Sequence, residues 1–201
     1  MTVGIIDYGV GNIGSLLNMF YRLEVEASVI TDPAAVVEHD HVLLPGVGAF
    51  DVAMRELHRT GFDRAVVDHA EAGGQLLGIC LGMQLLLDSS EEGELPGLGL
   101  VSGTSRKFDA SGGLRVPHMG WSQVNVEQDH PVLADLSDRH RFYFVHSYRV
   151  VCDDPGDVLA STVYGDRYTS MIAKGSVVGA QFHPEKSHRF GMQLLQNWVR
   201  L

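Results

Sequence analysis

Cys80 stands in Gly78-Ile79-Cys80-Leu81-Gly82, after the apolar stretch Leu76-Leu77-Gly78-Ile79 and before Met83-Gln84-Leu85-Leu86-Leu87. A strand running into a nucleophile and then into a helix, with glycine two positions away on each side, is a nucleophile elbow with Cys in place of Ser. Bulky side chains at the flanking positions would collide with neighbouring backbone. The N–H groups that open a helix favour a thiolate there. The competing reading is a buried, inert cysteine. His183-Pro184-Glu185 follows a second apolar run. A residue before proline is held extended, and positions i and i+2 of an extended segment share a side. His183 and Glu185 are thus placed as proton carrier and orienter of a catalytic triad. Alone, such a pair reads as a surface His beside a surface Glu; the elbow cysteine supplies a nucleophile for it to serve. Pro45-Gly46-Val47-Gly48 closes another apolar run. Two glycines there free the backbone to turn an N–H inward, as the second oxyanion donor beside the N–H of Leu81.

Other stretches carry chemistry-like letters. Gly9-Val10-Gly11-Asn12-Ile13-Gly14 lies between a strand-like and a helix-like segment, and Asp32 follows at the end of the next strand. Those are the marks of a dinucleotide-binding turn with its ribose-binding acid, or of a plain tight turn. His39-Asp40-His41 has chelating letters but no partner cluster, so no metal site is expected. Cys152 reads as packed, and His118 and His146 as structural or near an interface. Glu91, Glu92, Glu94, Asp153, Asp154 and Asp157 read as a solvated face.

The elements that must position these loops alternate in the first half. Strand-like runs fall at 3–6, 27–30, 42–44 (stopped by Pro45-Gly46) and 76–79. Helical spacing falls at 13–23, 50–58 and 62–72, and a helix begins at 83. Past residue 95 the pieces are β-rich: 122–126, 142–151, 158–164, 168–173 and 177–182, the last three separated by Gly165-Asp166 and Lys174-Gly175 turns. A helix over about 187–198 closes the chain. The pattern predicts one α/β domain over residues 1–201, with a mostly parallel central sheet, helices on both faces and an antiparallel β extension. With 201 residues, 15 Lys plus Arg against 25 Asp plus Glu and a net charge of −10, the chain has no basic footprint for nucleic acid or anionic membrane. No apolar run reaches a membrane span. Two cysteines suit a reducing, cytoplasmic setting.

Gly78-Ile79-Cys80-Leu81-Gly82-Met83-Gln84 together with Gln181-Phe182-His183-Pro184-Glu185 resembles the triad-type, class I glutamine amidotransferases, with their flavodoxin-like fold. The narrower resemblance is to the amidotransferase subunits of imidazole glycerol phosphate synthases. It rests on Ile6-Asp7-Tyr8-Gly9-Val10-Gly11-Asn12, Leu44-Pro45-Gly46-Val47-Gly48-Ala49-Phe50, Val116-Pro117-His118-Met119-Gly120-Trp121, Tyr143-Phe144-Val145-His146-Ser147-Tyr148 and Lys186-Ser187, in order along nearly the whole chain. Ser122 stands where many members carry Asn. The resemblance implies Cys80 as nucleophile, His183 as base and acid, and Glu185 as orienter. It implies an oxyanion hole from the backbone of Leu81 and of Val47 or Gly48. Gln84 and the Ser147-Tyr148 backbone would hold L-glutamine. Asn12, Trp121, Tyr143 and Lys186 would face a barrel-shaped cyclase partner in a heterodimer, the last three near an ammonia exit. No cofactor or metal is implied, and the glycine-rich first turn is relieved of dinucleotide binding. The alternatives are service to another synthase, an NAD-binding Rossmann protein and a silent binding protein on the same fold. The double-glycine loop further leads us to expect a poor glutaminase in isolation, switched on by the liganded partner.

Overall fold

The computed structural model describes residues 2–136 and 140–201. Its elements run β1 (Val3–Ile6), α1 (Ile13–Arg22), β2 (Ala27–Ile30), β3 (His41–Gly46), α2 (Phe50–Thr60), α3 (Phe62–Glu71), β4 (Gln75–Cys80), α4 (Leu81–Leu85), β5 (Ser89–Ser90) and β6 (Gly103–Lys107). There follow β7 (His118–Gln123), β8 (Asn125–Val126), β9 (Arg141–His146), β10 (Tyr148–Cys152), β11 (Val158–Tyr164), β12 (Asp166–Lys174), β13 (Val177–Ala180) and α5 (His188–Trp198).

The main sheet has the order β2-β1-β3-β4-β13-β12-β10-β6-β5, with β11 on β12 and β8 on β11. From β2 to β13 every pairing is parallel; β12 enters antiparallel and begins the extension. Alternate residues of the parallel strands enter separate cores. Leu43 and Leu77 pack with Leu16 and Phe20 of α1 and with Leu194 and Trp198 of α5. Val42, Leu44 and Leu76 pack with Met54 and Leu57 of α2 and Phe62 and Val66 of α3. Helices thus cover both faces, and strands buried on both faces need the continuous apolar runs seen at 42–44 and 76–79.

Several boundaries differ from the sequence reading. Pro45 and Gly46 do not stop β3; they remain in the ladder, Pro45 opposite Ile79 and Gly46 opposite Cys80. The fourth helix begins at Leu81 and lasts five residues. Its run is buried on every side, so its hydrophobic pattern marks neither end. The stretch 142–151 is two strands: β9 pairs with β7 in a separate two-stranded sheet, while β10 joins the main sheet, with the break at Ser147. The stretch 122–126 is likewise divided between β7 and β8. The hairpins at Gly165 and Gly175 form as expected, both glycines having positive φ.

Candidate active site

β4 carries Cys80 to the end of the sheet, where φ 56° and ψ −107° turn the chain directly into α4. A non-glycine residue at positive φ is strained, a cost met by surrounding packing. The flanking glycines are required by close approach. A Cβ on Gly78 would lie 2.7 Å from the Gly82 carbonyl oxygen, and one on Gly82 would strike the Leu44 carbonyl. Cys80 opens α4 without capping it, so its thiol stays free for other partners. It reaches the Val145 carbonyl at 3.9 Å and receives the Gln181 amide at 3.9 Å. Because α4 lasts only five residues, it sets less of a helix dipole behind Cys80 than the sequence suggests.

β13 lies beside β4 and delivers the second loop. His183 is extended at φ −100°, ψ 100°, as its place before Pro184 requires. Its Nδ1 lies 2.8 Å from Glu185 Oε1, with the two side chains 3% and 2% exposed. A carboxylate only accepts, so Nδ1 carries the hydrogen and Nε2 is the ring nitrogen left for another partner. Burial alone would lower the His183 pKa; Cys80 and Glu185 outweigh it and raise the value to about 9. His183 therefore holds its proton at neutral pH.

β3, on the other side of β4, delivers the third loop. Its freedom is narrower than two glycines suggest. Gly46 is tied into the ladder, and a Cβ there would press on the Gly82 nitrogen at 2.8 Å. The Tyr8 hydroxyl donates to the Pro45 carbonyl at 2.9 Å. Only beyond Gly46 does the chain open: Val47 and Gly48 are exposed, and Gly48 sits at φ 95° with nothing near its missing Cβ.

The three loops enclose a cavity of about 190 Å³. Cys80, Leu81, Val47, Gly48 and His183 line it. So do Gln84, Ser147, Tyr148 and Lys186. Glu185 lies behind His183. Trp121 and Tyr143 are outside the cavity but beside it: their rings are 6.0 Å apart, Lys186 Nζ stands 5.9 Å from the Tyr143 ring, and Trp121 stacks on His188. Asn12 is exposed at the start of α1 and lines no part of this cavity.

Some site residues escaped the sequence reading. Gln181, fully buried, bonds Gln84 and touches Cys80. Val145 and His146 line the cavity from β9. Glu92 is not part of a solvated face: it lines the cavity and accepts from the Phe50 N–H at 2.9 Å, capping α2, whose Ala49 has no capping side chain. Glu91 similarly accepts from the Lys107 N–H. No local pattern announces these contacts; the Glu92 side chain meets its partner 42 residues away. Asp32, the candidate ribose acid, accepts from the Ala34 N–H and caps a short turn. Cys152 is half-buried, its thiol pushed up to about 12 by burial and by Asp157, Asp153 and Asp154. His39 engages Ser28 and Ala35, and His41 packs edge-on against Trp198. Among the described residues no cluster of three His, Cys, Asp or Glu could hold a metal, and no helix is long and apolar enough to cross a membrane.

Comparison with known proteins places this geometry. The family "Glutamine amidotransferase class-I" matches residues 4–201. The chain belongs to the class-I glutamine amidotransferase family. Within that family, it is 44% identical to the imidazole glycerol phosphate synthase subunit HisH 2 of Pseudomonas aeruginosa, over 98% of each chain. It is 46% identical to the HisH subunit of Symbiobacterium thermophilum, over 98% of this chain and 92% of that one. A chloroplastic imidazole glycerol phosphate synthase hisHF of Arabidopsis thaliana is 44% identical over 98% of this chain but only 34% of its own length. Among solved structures, PurLQS from Thermotoga maritima superposes with a TM-score of 0.78 at 19% identity, over 99% of this chain and 97% of that one. A glutamine amidotransferase crystal structure gives 0.77 at 21%, over 98% and 97%. These two likenesses establish the class-I amidotransferase fold.

Proposed function

We propose that this chain is the glutaminase subunit of an imidazole glycerol phosphate synthase. It hydrolyses L-glutamine and passes ammonia to a cyclase subunit, which forms imidazole glycerol phosphate and an aminoimidazole carboxamide ribonucleotide in histidine biosynthesis. The observation that carries the chemistry is the convergence of Cys80 and the His183–Glu185 pair on one cavity whose rim includes the backbone of Leu81 and Gly48. Near full-length kinship with named synthase subunits carries the substrate and the pathway.

In this reading the Cys80 thiolate attacks the carboxamide carbon of glutamine. The N–H groups of Leu81 and of Val47 or Gly48 take up the oxyanion. The proton on His183 Nε2 passes to the carboxamide nitrogen, the C–N bond breaks and ammonia leaves a γ-glutamyl thioester. His183, now neutral, takes a proton from water as the oxygen attacks the thioester, and glutamate departs with the thiolate restored. Glu185 accepts from Nδ1–H throughout and favours the charged imidazole. Gln84 and the Ser147-Tyr148 backbone hold the substrate's ammonium and carboxylate. Trp121, Tyr143 and Lys186 lie toward the partner and the ammonia exit; Asn12 also belongs to that face. The exposed Met119 and Trp121, 61% and 43% accessible, support an apolar docking surface next to the cavity.

The test is one mutant complex offered two nitrogen sources. Cys80→Ala abolishes synthesis from glutamine and leaves synthesis from ammonia intact, because Cys80 acts only in making ammonia. Retained glutamine use would overturn the assignment.

A further inference from the structure

Behind the cavity, four polar side chains meet in apolar surroundings. His118 and Ser122 come from β7, His146 from β9 and Tyr168 from β12. His118, His146 and Tyr168 are 1%, 6% and 4% exposed. The His118 ring is stacked between Phe144 and Tyr164, with Phe108 edge-on. Each contact is short: Ser122 Oγ to His118 Nε2 at 2.8 Å, His118 Nδ1 to Tyr168 Oη at 2.9 Å, Tyr168 Oη to His146 Nε2 at 3.1 Å, and His146 Nδ1 to the Tyr148 carbonyl at 2.7 Å.

One backbone group fixes the direction of the whole series. A carbonyl oxygen only accepts, so His146 Nδ1 carries a hydrogen. In a neutral ring Nε2 then only accepts, so the Tyr168 hydroxyl donates to it. That spends the only hydrogen on Tyr168, so its oxygen accepts from His118 Nδ1–H. His118 Nε2 in turn accepts the Ser122 hydroxyl hydrogen. Desolvation keeps both rings neutral, lowering His146 to about 3 and His118 to about 4.

The Tyr148 carbonyl is shared with the cavity. It also accepts from Gln84 Nε2 at 3.2 Å, and the same nitrogen donates to Gln181 Oε1 at 3.1 Å. With both amide hydrogens spent, Gln84 has its oxygen left to offer a ligand in the cavity it lines. A substrate ammonium needs an acceptor; the opposite amide orientation would set N–H groups against it.

We infer that Ser122, His118, Tyr168 and His146 are positioning residues, a one-directional hydrogen-bond chain that holds the Tyr148 carbonyl and thereby sets the Gln84 amide for the substrate's ammonium. The inference rests on the glutamine site proposed above. It makes glutamine affinity depend on Ser122, His118 and Tyr168, which lie outside the cavity, through His146, which lines it; the chain begins one residue from the exposed Trp121.

Two measurements test it. In the synthase complex, Tyr168→Phe removes the central link and raises the KM for glutamine about tenfold, the worth of one good hydrogen bond, while kcat moves less than about threefold. Ser122→Ala raises KM less and Ser122→Thr restores it. An unchanged KM, or a fall in kcat at constant KM, overturns the chain. Independently of any variant's folding, imidazole 15N chemical shifts of the wild-type protein show His118 and His146 both protonated at Nδ1 and bare at Nε2. Protonated Nε2 on either ring overturns the chain. A wild-type complex without glutaminase activity would instead overturn the function proposed above, with the tautomers still deciding the chain.

Discussion

At Glu185 the carboxylate has one task that geometry assigns, holding His183 Nδ1–H at 2.8 Å in a site almost closed to water. An amide in its place still orients the ring but stabilises the imidazolium poorly. Glu185→Gln therefore lowers glutamine turnover by about ten- to a hundredfold, and His183→Ala, which removes the proton carrier, lowers it by more. Steady-state glutaminase assays of the two complexes give the ranking; equal and negligible losses would dismiss the triad. These residues are the part of the site most legible in sequence. Proline enforces the conformation of His183, and the glycines beside Cys80 record contacts with Leu44 and with each other. Gln181 was not legible in the same way. Its partners Gln84 and Cys80 lie about a hundred positions away, so no spacing rule reaches them.

The elements show a similar division. β1, β3 and β4, buried on both faces, read directly as apolar runs, and the edge strand β2, with Ser28 and Val29 exposed, also lies where the sequence places it. The break at Ser147 left no trace, because residues on both sides favour strands; only the pairing of β9 with β7 and of β10 with β6 separates them. The loop after β3 was legible in composition but not in mechanics. Tyr8 and the ladder fix Pro45 and Gly46, leaving the peptide between Val47 and Gly48 as the unit that can turn. Glycine crosses between positive and negative φ at small cost, and a missing oxyanion donor costs about 10²–10³ in rate. The free chain is accordingly expected to be a poor glutaminase, with the proposed ligand-loaded partner raising its turnover by about that factor by favouring the inward N–H. Turnover of the free chain, the bare complex and the loaded complex checks this. Full activity in the free chain would remove the loop from the control of rate while leaving the chemistry of Cys80 in place.

For the molecule as a whole, buried histidines pull stability in opposite directions with pH. His118 and His146 are depressed to about 4 and about 3, so they bind protons in the unfolded chain before the folded one. Their contribution is complete above pH 6.5 and is lost as pH falls through about 4 for His118 and about 3 for His146, at about 1.4 kcal/mol for each unit of depression. His183 is raised to about 9; its contribution is complete below pH 6.5 and lost as pH rises through about 9. The expected melting temperature peaks near pH 6.5 and begins to fall on the acid side well before carboxylates titrate. His183→Asn weakens the alkaline arm, to which the raised Cys152 thiol also contributes above pH 9, and leaves the acid arm in place. A melting temperature that is level from pH 6.5 to 4.5 would contradict the burial of the two neutral rings.

The extension of β3 through Gly46 has a consequence for amide hydrogen exchange. Leu76, Leu77, Gly78 and Ile79 lie in ladders with β3 on one side and β13 on the other, so β4 is released only when the sheet itself opens. Two residues past the Gly46–Cys80 pairing, Gly48 is bare to solvent. Global opening of a domain is rarer than loop fluctuation by at least about a thousandfold. Deuterium uptake should therefore fall by that factor between Gly48 and the strand beside it, an abrupt kinetic boundary at the edge of the cavity that Cys80 lines. Docking of the loaded partner should slow uptake at Gly48 while β4, already at the global limit of the free chain, sets the scale against which that slowing is read.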